Sequence, residues 1–133
     1  MVDSGSSSTF ISAASVHRLQ FQTEEASEVQ VTVADGTQMP SKQMVKDITW
    51  WTQGHTFSTT ARVLDLKCYD IVLGMDWLEQ YSPMWIDWKR KKMRFTHKGQ
   101  RITLTGVKDC VSKCTIFSSN ILNAHLPLNH WNI

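Results

Sequence analysis

The sequence contains no apolar run that approaches the ~20 residues needed to cross a bilayer as a helix. Its N-terminus lacks the basic-then-apolar pattern of a secretory signal, and its three cysteines are odd in number. These absences predict a soluble protein that resides in a reducing, intracellular compartment, either the cytoplasm or the nucleus.

The chain also has no internal repeat, and its longest low-complexity tract, Ser6-Ser7-Ser8, is too short to be a linker. The formal net charge is only +2, and the basic residues are spread along the chain apart from Lys89–Lys92. This balance argues against a nucleic-acid or membrane partner. We interpret the basic run as the solvated turn of a hairpin, with contact to RNA as the alternative.

The apolar content indicates one folded domain. Of the 133 residues, 41% are hydrophobic and six are tryptophan, which is enough for a core and argues against intrinsic disorder. Tryptophans could line a peptide groove, but aromatic side chains on regular elements are more often buried. We therefore place Trp77 in the core.

Short stretches with a period of two dominate the sequence, which favours many strands with little helix. Ser12 is placed to cap a short helix that begins at Ala13, and Met75–Gln80 can form one or two further helical turns. Asp35-Gly36 predicts a hairpin turn. We predict strands over 29–33, 43–51, 56–64, 69–74, 86–88, 93–95 and 101–104.

The stretch Ile71-Val72-Leu73-Gly74 differs from the other strands because three large apolar residues follow one another. Such a run is typical of a strand that is buried on both faces. We expect it to lie at the centre of the fold.

Asp3-Ser4-Gly5 is the stretch that suggests chemistry. Two carboxylates held close together share a proton, so that one can activate water while the other protonates a peptide carbonyl. Glycine lets the backbone turn tightly and donate its N–H to the carboxylate, and Ser4 can bond across to a partner loop. By itself, however, the tripeptide is more typical of a plain turn.

Five stretches follow one another along the chain in a specific order. They are D-S-G-S-S-S-T-F-I-S from Asp3, V-A-D-G-T from Val33, G-H-T-F from Gly54, Y-D-I-V-L-G-M-D-W-L from Tyr69 and I-D-W-K-R-K-K-M-R-F from Ile86. Together they resemble the retropepsin-like protease segment of Ty3/gypsy-type retrotransposon polyproteins. The first and fourth stretches are the most specific, and the resemblance covers residues 2–106.

This resemblance implies an all-β, retropepsin-like closed barrel, an acid protease fold with one or two short helices. It implies that Asp3 is the catalytic acid, that Ser4 and Gly5 position it, and that no metal or organic cofactor takes part. The loop would be supported by Val72, Leu73 and Gly74. A flap that closes over an extended polypeptide substrate would comprise Val33, Ala34, Asp35, Gly36 and Thr37.

No second Asp-Ser-Gly or Asp-Thr-Gly occurs in the chain. The second carboxylate must then come from another copy, related to the first by a twofold axis. The expected function is therefore that of an aspartic endopeptidase that acts as a homodimer on polypeptides.

The chain departs from the family pattern at its start. Residues 1–106 are predicted to form the protease domain without the usual strand before the catalytic loop, because only Met1 and Val2 precede Asp3. Residues 107–133 are predicted to be a tail of uncertain structure. An end that frays would displace the acid. The alternative is therefore a catalytically inactive, retroelement-derived module for dimerisation or peptide binding.

Two other features have simpler explanations than catalysis. Asp70 and Asp76 flank the buried strand, and we interpret Asp76 as a helix cap. A set of cysteines and histidines lacks the usual spacing of a zinc site. These residues are Cys110, Cys114, His97, His125 and His130.

Overall fold

The structure is a computed structural model that describes residues 1–33, 35–106 and 126–127. Within these residues, nine strands and two short helices confirm a chain that is mostly β. The elements are β1 (Phe10–Ser12), α1 (Ala13–Leu19), β2 (Glu24–Thr32), β3 (Gln38–Thr52), β4 (His55–Leu64), β5 (Ile71–Val72), α2 (Met75–Gln80), β6 (Trp85–Asp87), β7 (Lys92–His97), β8 (Gln100–Thr105) and β9 (Leu126–Pro127).

The described strands form two sheets. The larger has the order β2-β3-β4-β1-β5, with β9 pairing with β3, and the smaller has the order β6-β7-β8. Strand β1 pairs in parallel with β4 and antiparallel with β5, and its central residue Ile11 is fully buried. Closure of these strands into a barrel stays a prediction.

Aromatic side chains form the centre of the core. The ring of Trp50 stacks on that of Phe57 at 4.5 Å, and the Trp77 ring lies 5.8 Å from both. Phe95 of β7 meets Trp77 edge-on, which joins the smaller sheet to the same cluster. Trp77 is only 1% exposed, so its predicted place in the core is confirmed.

Helix α1 begins as the sequence predicts. The Ser12 hydroxyl oxygen accepts a hydrogen bond from the Ser15 N–H and so satisfies one of the free donors of the first turn. The Ser15 hydroxyl in turn donates to Asp70 Oδ1 at 2.6 Å, and Arg18 pairs with the same oxygen at 3.1 Å. Asp70, which directly precedes β5, therefore connects helix α1 to that strand.

Two predicted strands differ from those observed. Strand β3 has 15 residues and pairs with β2 on one edge and with β4 on the other, and its register with β4 shifts at a bulge between Val45 and Ile48. Strand β5 has only two residues and lies at the end of the sheet order, not at its centre. It is nevertheless buried, since Ile71 and Val72 each pack into one of the two hydrophobic clusters.

The first three residues extend the pairing beyond β5. Val2 forms a parallel bridge with Leu73, the Leu73 N–H donates to the Met1 carbonyl at 2.8 Å, and the Asp3 N–H donates to the Leu73 carbonyl at 2.9 Å. The Met1 amino group donates to the Ile71 carbonyl at 2.9 Å. Asp3 is therefore attached to the sheet on its N-terminal side.

Most of the predicted tail, residues 107–125 and 128–133, lies outside the described residues, as do Cys110 and Cys114. Leu126 and Pro127 pair in parallel with Trp50 and Trp51. Cys68 is disulfide-bonded, whereas a reducing compartment would favour free thiols, and the compartment stays a prediction. In the part of the chain that the structure describes, no helix is long and apolar enough to span a membrane.

The buried amino terminus predicts a pH-dependent stability for a chain that begins at Met1. Burial lowers the pKa of the Met1 α-amino group from 8.0 to about 5, although the nearby Asp70 and Asp3 carboxylates oppose this shift. Between these values the unfolded chain binds a proton that the folded chain excludes. The free energy of unfolding should therefore fall as the pH is lowered from 8 to 5, by up to roughly 4 kcal/mol.

Urea unfolding across this pH range measures the slope. NMR titration of a chain labelled at the Met1 nitrogen identifies the group that is responsible. A Met1 amine whose pKa in the folded protein lies near its ordinary value of 8.0 would contradict this prediction.

Candidate active site

The Asp3 loop is a tight turn whose carboxylate is held by the backbone. Asp3 Oδ1 accepts a hydrogen bond from the Gly5 N–H at 2.9 Å, and the Ser6 N–H donates to the Asp3 carbonyl at 3.2 Å. A Cβ atom on Gly5 would lie 3.1 Å from Asp3 Oδ1, so any side chain here would crowd the carboxylate. Asp3 is half-buried and Ser4 is exposed, so the carboxyl group is held in place yet accessible.

Gly74 supports this loop by close contact with its backbone. A Cβ atom on Gly74 would lie 2.3 Å from the Ser8 carbonyl oxygen and 2.9 Å from that of Ser6. The absence of a side chain therefore lets the loop lie directly on the end of β5. The Met75 N–H donates to the Ser6 carbonyl at 2.8 Å and closes the contact.

Thr9 and Asp76 fasten the far end of the loop. The Thr9 N–H donates to Asp76 Oδ2 at 2.9 Å, and the Thr9 hydroxyl donates to Asp76 Oδ1 at 2.6 Å. The Thr9 hydroxyl oxygen also accepts from the Gly74 N–H at 3.1 Å. Asp76 is not the N-cap residue of α2, because Gly74 occupies that position, but it lies in the first turn and its Oδ1 accepts a hydrogen bond from the Trp77 N–H at 2.7 Å. The same carboxylate therefore both satisfies a free N–H of the helix, as predicted, and holds the loop.

Sequence reasoning did not identify Thr9 as part of this site. Thr9 and Asp76 are 67 positions apart, so no local spacing connects them. The only available signal was a threonine between the loop and an apolar strand, which many strands share. Their contact depends on β1 lying beside β5.

The two acids beside the buried strand are committed to structural partners. Asp70 binds Ser15 and Arg18, and Asp76 binds Thr9. Neither carboxylate is therefore available as the partner of Asp3. Within the described part of one chain, the loop presents a single catalytic candidate.

The predicted flap is the tip of the hairpin formed by β2 and β3. The Val33 N–H donates to the Thr37 carbonyl at 2.9 Å, and the Gly36 N–H donates to the Val33 carbonyl at 2.8 Å. Gly36 has φ 86°, which favours glycine. Hydrogen bonds from Thr37 hold the pKa of the Asp35 carboxyl group below its ordinary value. Ala34 lies outside the described residues.

One side of this hairpin packs against β5, the strand that precedes Gly74. Val31, Val33 and Met39 pack against a small apolar cluster of Phe10, Leu64 and Val72. Because Val72 directly precedes Leu73, which pairs with Val2, the hairpin covers an apolar wall close to the loop. The hairpin therefore covers the strand that adjoins the Asp3 loop.

A polar cavity of about 300 Å³ lies on another side of the loop, between Ser8, Thr9, α2 and the strands β3 and β4. Its lining includes Asp47 and Asp76 but not Asp3, Ser4 or Gly5. This cavity is therefore separate from the candidate acid.

The described residues contain no group of three or more His, Cys, Asp or Glu side chains that could hold a metal ion. Of the candidate zinc ligands, His97 is described, and its Nε2 lies 2.9 Å from the Thr56 carbonyl oxygen. The other four, Cys110, Cys114, His125 and His130, lie outside the described residues.

Comparison with protein families gives a match over residues 1–102 to the PEG10/RTL1 protease domain. The fold is similar to that of the retroviral protease-like domain of Ddi1 from Leishmania major, with a TM-score of 0.54 and 15% identity over 84% of this chain and 86% of that one. A retropepsin-like aspartic protease from Rickettsia conorii matches with a TM-score of 0.46 and 21% identity over 65% of this chain and 72% of that one. No curated protein matches.

Gly74→Ala should destabilise the protein because the new Cβ meets the backbone of the loop and not a flexible side chain. We expect a loss of about 2–3 kcal/mol in the free energy of unfolding, measured in urea. Gly99→Ala is the matched comparison, since Gly99 has φ 76° and nothing within 4 Å of an added Cβ. That variant should lose only about 1 kcal/mol through backbone strain. Equal losses would contradict the contact.

Asp76→Asn should also destabilise the protein. The amide keeps one acceptor oxygen but turns an N–H₂ group towards a donor, so one of the hydrogen bonds from Thr9 is lost. Because Asp76 is exposed, we expect a cost of only about 1 kcal/mol. Glu79→Gln, an exposed change on the same helix, is the control. An unchanged urea midpoint for Asp76→Asn would refute this role.

Proposed function

Since the chain belongs to the PEG10/RTL1 protease domain family, we propose that this retropepsin-like segment is an aspartic endopeptidase that acts as a homodimer on extended polypeptides. The observation that carries the proposal is the position of Asp3. Its carboxylate is held by the Gly5 N–H on a loop that is bonded to residues 71–76 on both sides.

The single catalytic candidate within the described part of the chain supports a dimer. Because Asp70 and Asp76 are bonded to other groups, the second carboxylate of the proposed site is the Asp3 of another copy. A twofold axis beside the loop brings the two acids together in an isologous arrangement. Ser4 is exposed, and in this dimer its hydroxyl would bond across the axis to the other loop.

In this dimer the two Asp3 carboxyl groups share one proton, because two carboxylates in close contact cannot both ionise at low cost. The ionised group takes a proton from water as the water oxygen attacks the peptide carbonyl carbon. The protonated group gives its proton to the carbonyl oxygen. Transfer of a proton to the amide nitrogen then lets the C–N bond break, which yields a carboxyl and an amino product.

In this proposal the β-hairpin tip at Val33–Thr37 acts as the flap. Its backbone can bond an extended substrate, and its closure would exclude water from the acids. A preference for large apolar side chains beside the cut bond is what the family resemblance implies for the substrate.

Three broader points belong to the same proposal. The strands close into the barrel expected of retropepsins, the domain derives from a retrotransposon polyprotein of the Ty3/gypsy type, and it works inside the cell. Sequence order supports the first two, since all five resembling stretches occur in the family's order.

Asp3→Asn tests the catalytic assignment. In a peptide-cleavage assay at mildly acidic pH, this variant should lose at least about 10²–10⁴-fold in rate, because the amide can neither accept nor share the proton. Asp47→Asn is the matched control. Asp47 is exposed and has φ 54°, a conformation that asparagine tolerates well. Equal cleavage by wild-type and Asp3→Asn chains would reject Asp3.

Mixing chains tests whether the active species is a dimer. Adding an equal amount of Asp3→Asn chain to wild-type chain should lower the cleavage rate to about half, because random pairing leaves only a quarter of the dimers with two acids. Adding the Asp47→Asn chain should not lower it. If neither the Asp3→Asn chain nor the Asp47→Asn chain lowered the rate, a site formed by Asp3 residues from two copies would be excluded. A folded dimer that never cleaves would instead favour the inactive dimerisation or peptide-binding module.

A further inference from the structure

The smaller sheet differs in charge from the rest of the molecule. Residues 85–105, which span β6 to β8, contain seven of the fourteen Lys and Arg residues and one of the twelve Asp and Glu residues. This segment therefore has a formal charge of +6, and the rest of the chain has −4. The small net charge of the whole chain conceals this separation.

The two faces of this sheet are different. The inner face packs into the core through Met93, Phe95, Ile102 and Leu104. The outer face carries the exposed residues Trp85, Arg94, Thr96, Arg101 and Thr103. Trp85, Arg94 and Thr103 lie directly across from one another on the three strands. We call this outer face, together with the turn 88–91, the basic face.

Two of the large apolar side chains that are exposed in the described residues lie on the basic face. Trp85 is 51% exposed and Trp88 is 55% exposed. The Arg94 guanidinium lies 5.2 Å from the centroid of the Trp85 ring, and Arg94 Nε donates to the Thr103 hydroxyl at 3.3 Å. The guanidinium therefore lies over one face of the indole in a cation–π contact, and a base would stack on the other, exposed face.

The turn that carries Trp88 is held by the one acid of the segment. The Arg90 N–H donates to Asp87 Oδ1 at 2.9 Å, and the Arg90 guanidinium pairs with Asp87 Oδ2 at 3.2 Å. These contacts leave the neighbouring cations unneutralised. In the described part of the chain, the ion pairs do not include Lys89, Lys91, Lys92, Lys98 or Arg101.

We propose that the basic face binds single-stranded nucleic acid, with bases stacking on Trp85 and Trp88 and phosphates contacting the surrounding Lys and Arg side chains. Exposed aromatic rings among unpaired cations are the combination that such binding requires. Duplex bases are already stacked on one another and cannot use the indoles. A membrane surface is disfavoured because no exposed aliphatic side chain accompanies the two tryptophans within residues 85–105.

This inference reverses the sequence-based expectation of no nucleic-acid partner. That expectation relied on net charge and on Lys89–Lys92 as an isolated run. The structure adds Arg94, Arg101 and two exposed indoles to the same surface. The inference does not depend on protease activity, since it uses none of the residues of the Asp3 loop or the flap.

The test is fluorescence anisotropy of the 133-residue chain with labelled oligouridylate and, separately, oligothymidylate of about 15 nucleotides. Trp85→Ala/Trp88→Ala should weaken binding by at least about tenfold. Trp51→Ala, which removes a 44% exposed tryptophan outside the basic face, should not. Circular dichroism and the urea midpoint verify that each variant is folded.

Salt and charge variants test the phosphate contacts. For about four contacted phosphates, affinity should fall roughly 50-fold between about 50 and 200 mM salt. Lys89→Gln/Lys92→Gln should make this dependence shallower, whereas Lys42→Gln, at a lysine paired with Glu28 elsewhere, should not. Three results would overturn the proposal: equal loss with Trp51→Ala, equal affinity for duplex, or binding only to vesicles of phosphatidylserine and phosphatidylcholine.

Discussion

The site depends on one steric constraint, the contact between Gly74 and the backbone of the Asp3 loop. Any side chain at this position would overlap the Ser8 carbonyl oxygen. Because the loop can approach so closely, its backbone bonds to residues 71–76 on both sides, and the Thr9 hydroxyl bonds to the Gly74 N–H. Gly74, 71 residues after Asp3, thus helps to determine where the Asp3 carboxylate lies. It does so through contact with the loop backbone and not through charge.

The sequence predicted the features that have local causes. The Ser12 cap, the Asp35-Gly36 turn and helix α2 each follow from neighbouring residues, and all are observed. Features set by long-range contacts were missed. Strand β5 lies at the end of the sheet order, yet it is buried, because it pairs with β1 and the residue after it pairs with Val2. Asp76 accepts hydrogen bonds from Thr9 because the fold brings together two segments that are 67 positions apart. No local sequence pattern predicts that contact.

Exposure was the other property that the sequence could not assign. Trp50 and Trp51 are adjacent, yet one is fully buried and the other exposed, since successive side chains of a strand point to opposite faces. Which face is inner depends on the register with β4. Nor could the sequence decide whether Trp85 and Trp88 are buried. Because both are exposed, the basic turn and the outer face of the smaller sheet form one surface that carries aromatic rings. The charge is therefore divided between a basic smaller sheet and the rest of the chain, which has a formal charge of −4 and includes the Asp3 loop.

Hydrogen bonds from its own chain are enough to hold the described Asp3 loop on both sides. The loop should therefore be folded before a second copy arrives, and association would join two rigid bodies with little ordering of backbone. Little conformational entropy would then be lost on assembly. How tightly two copies hold together would be set by the surface that they bury, and formation of the paired site should follow simple second-order kinetics without a slow isomerisation.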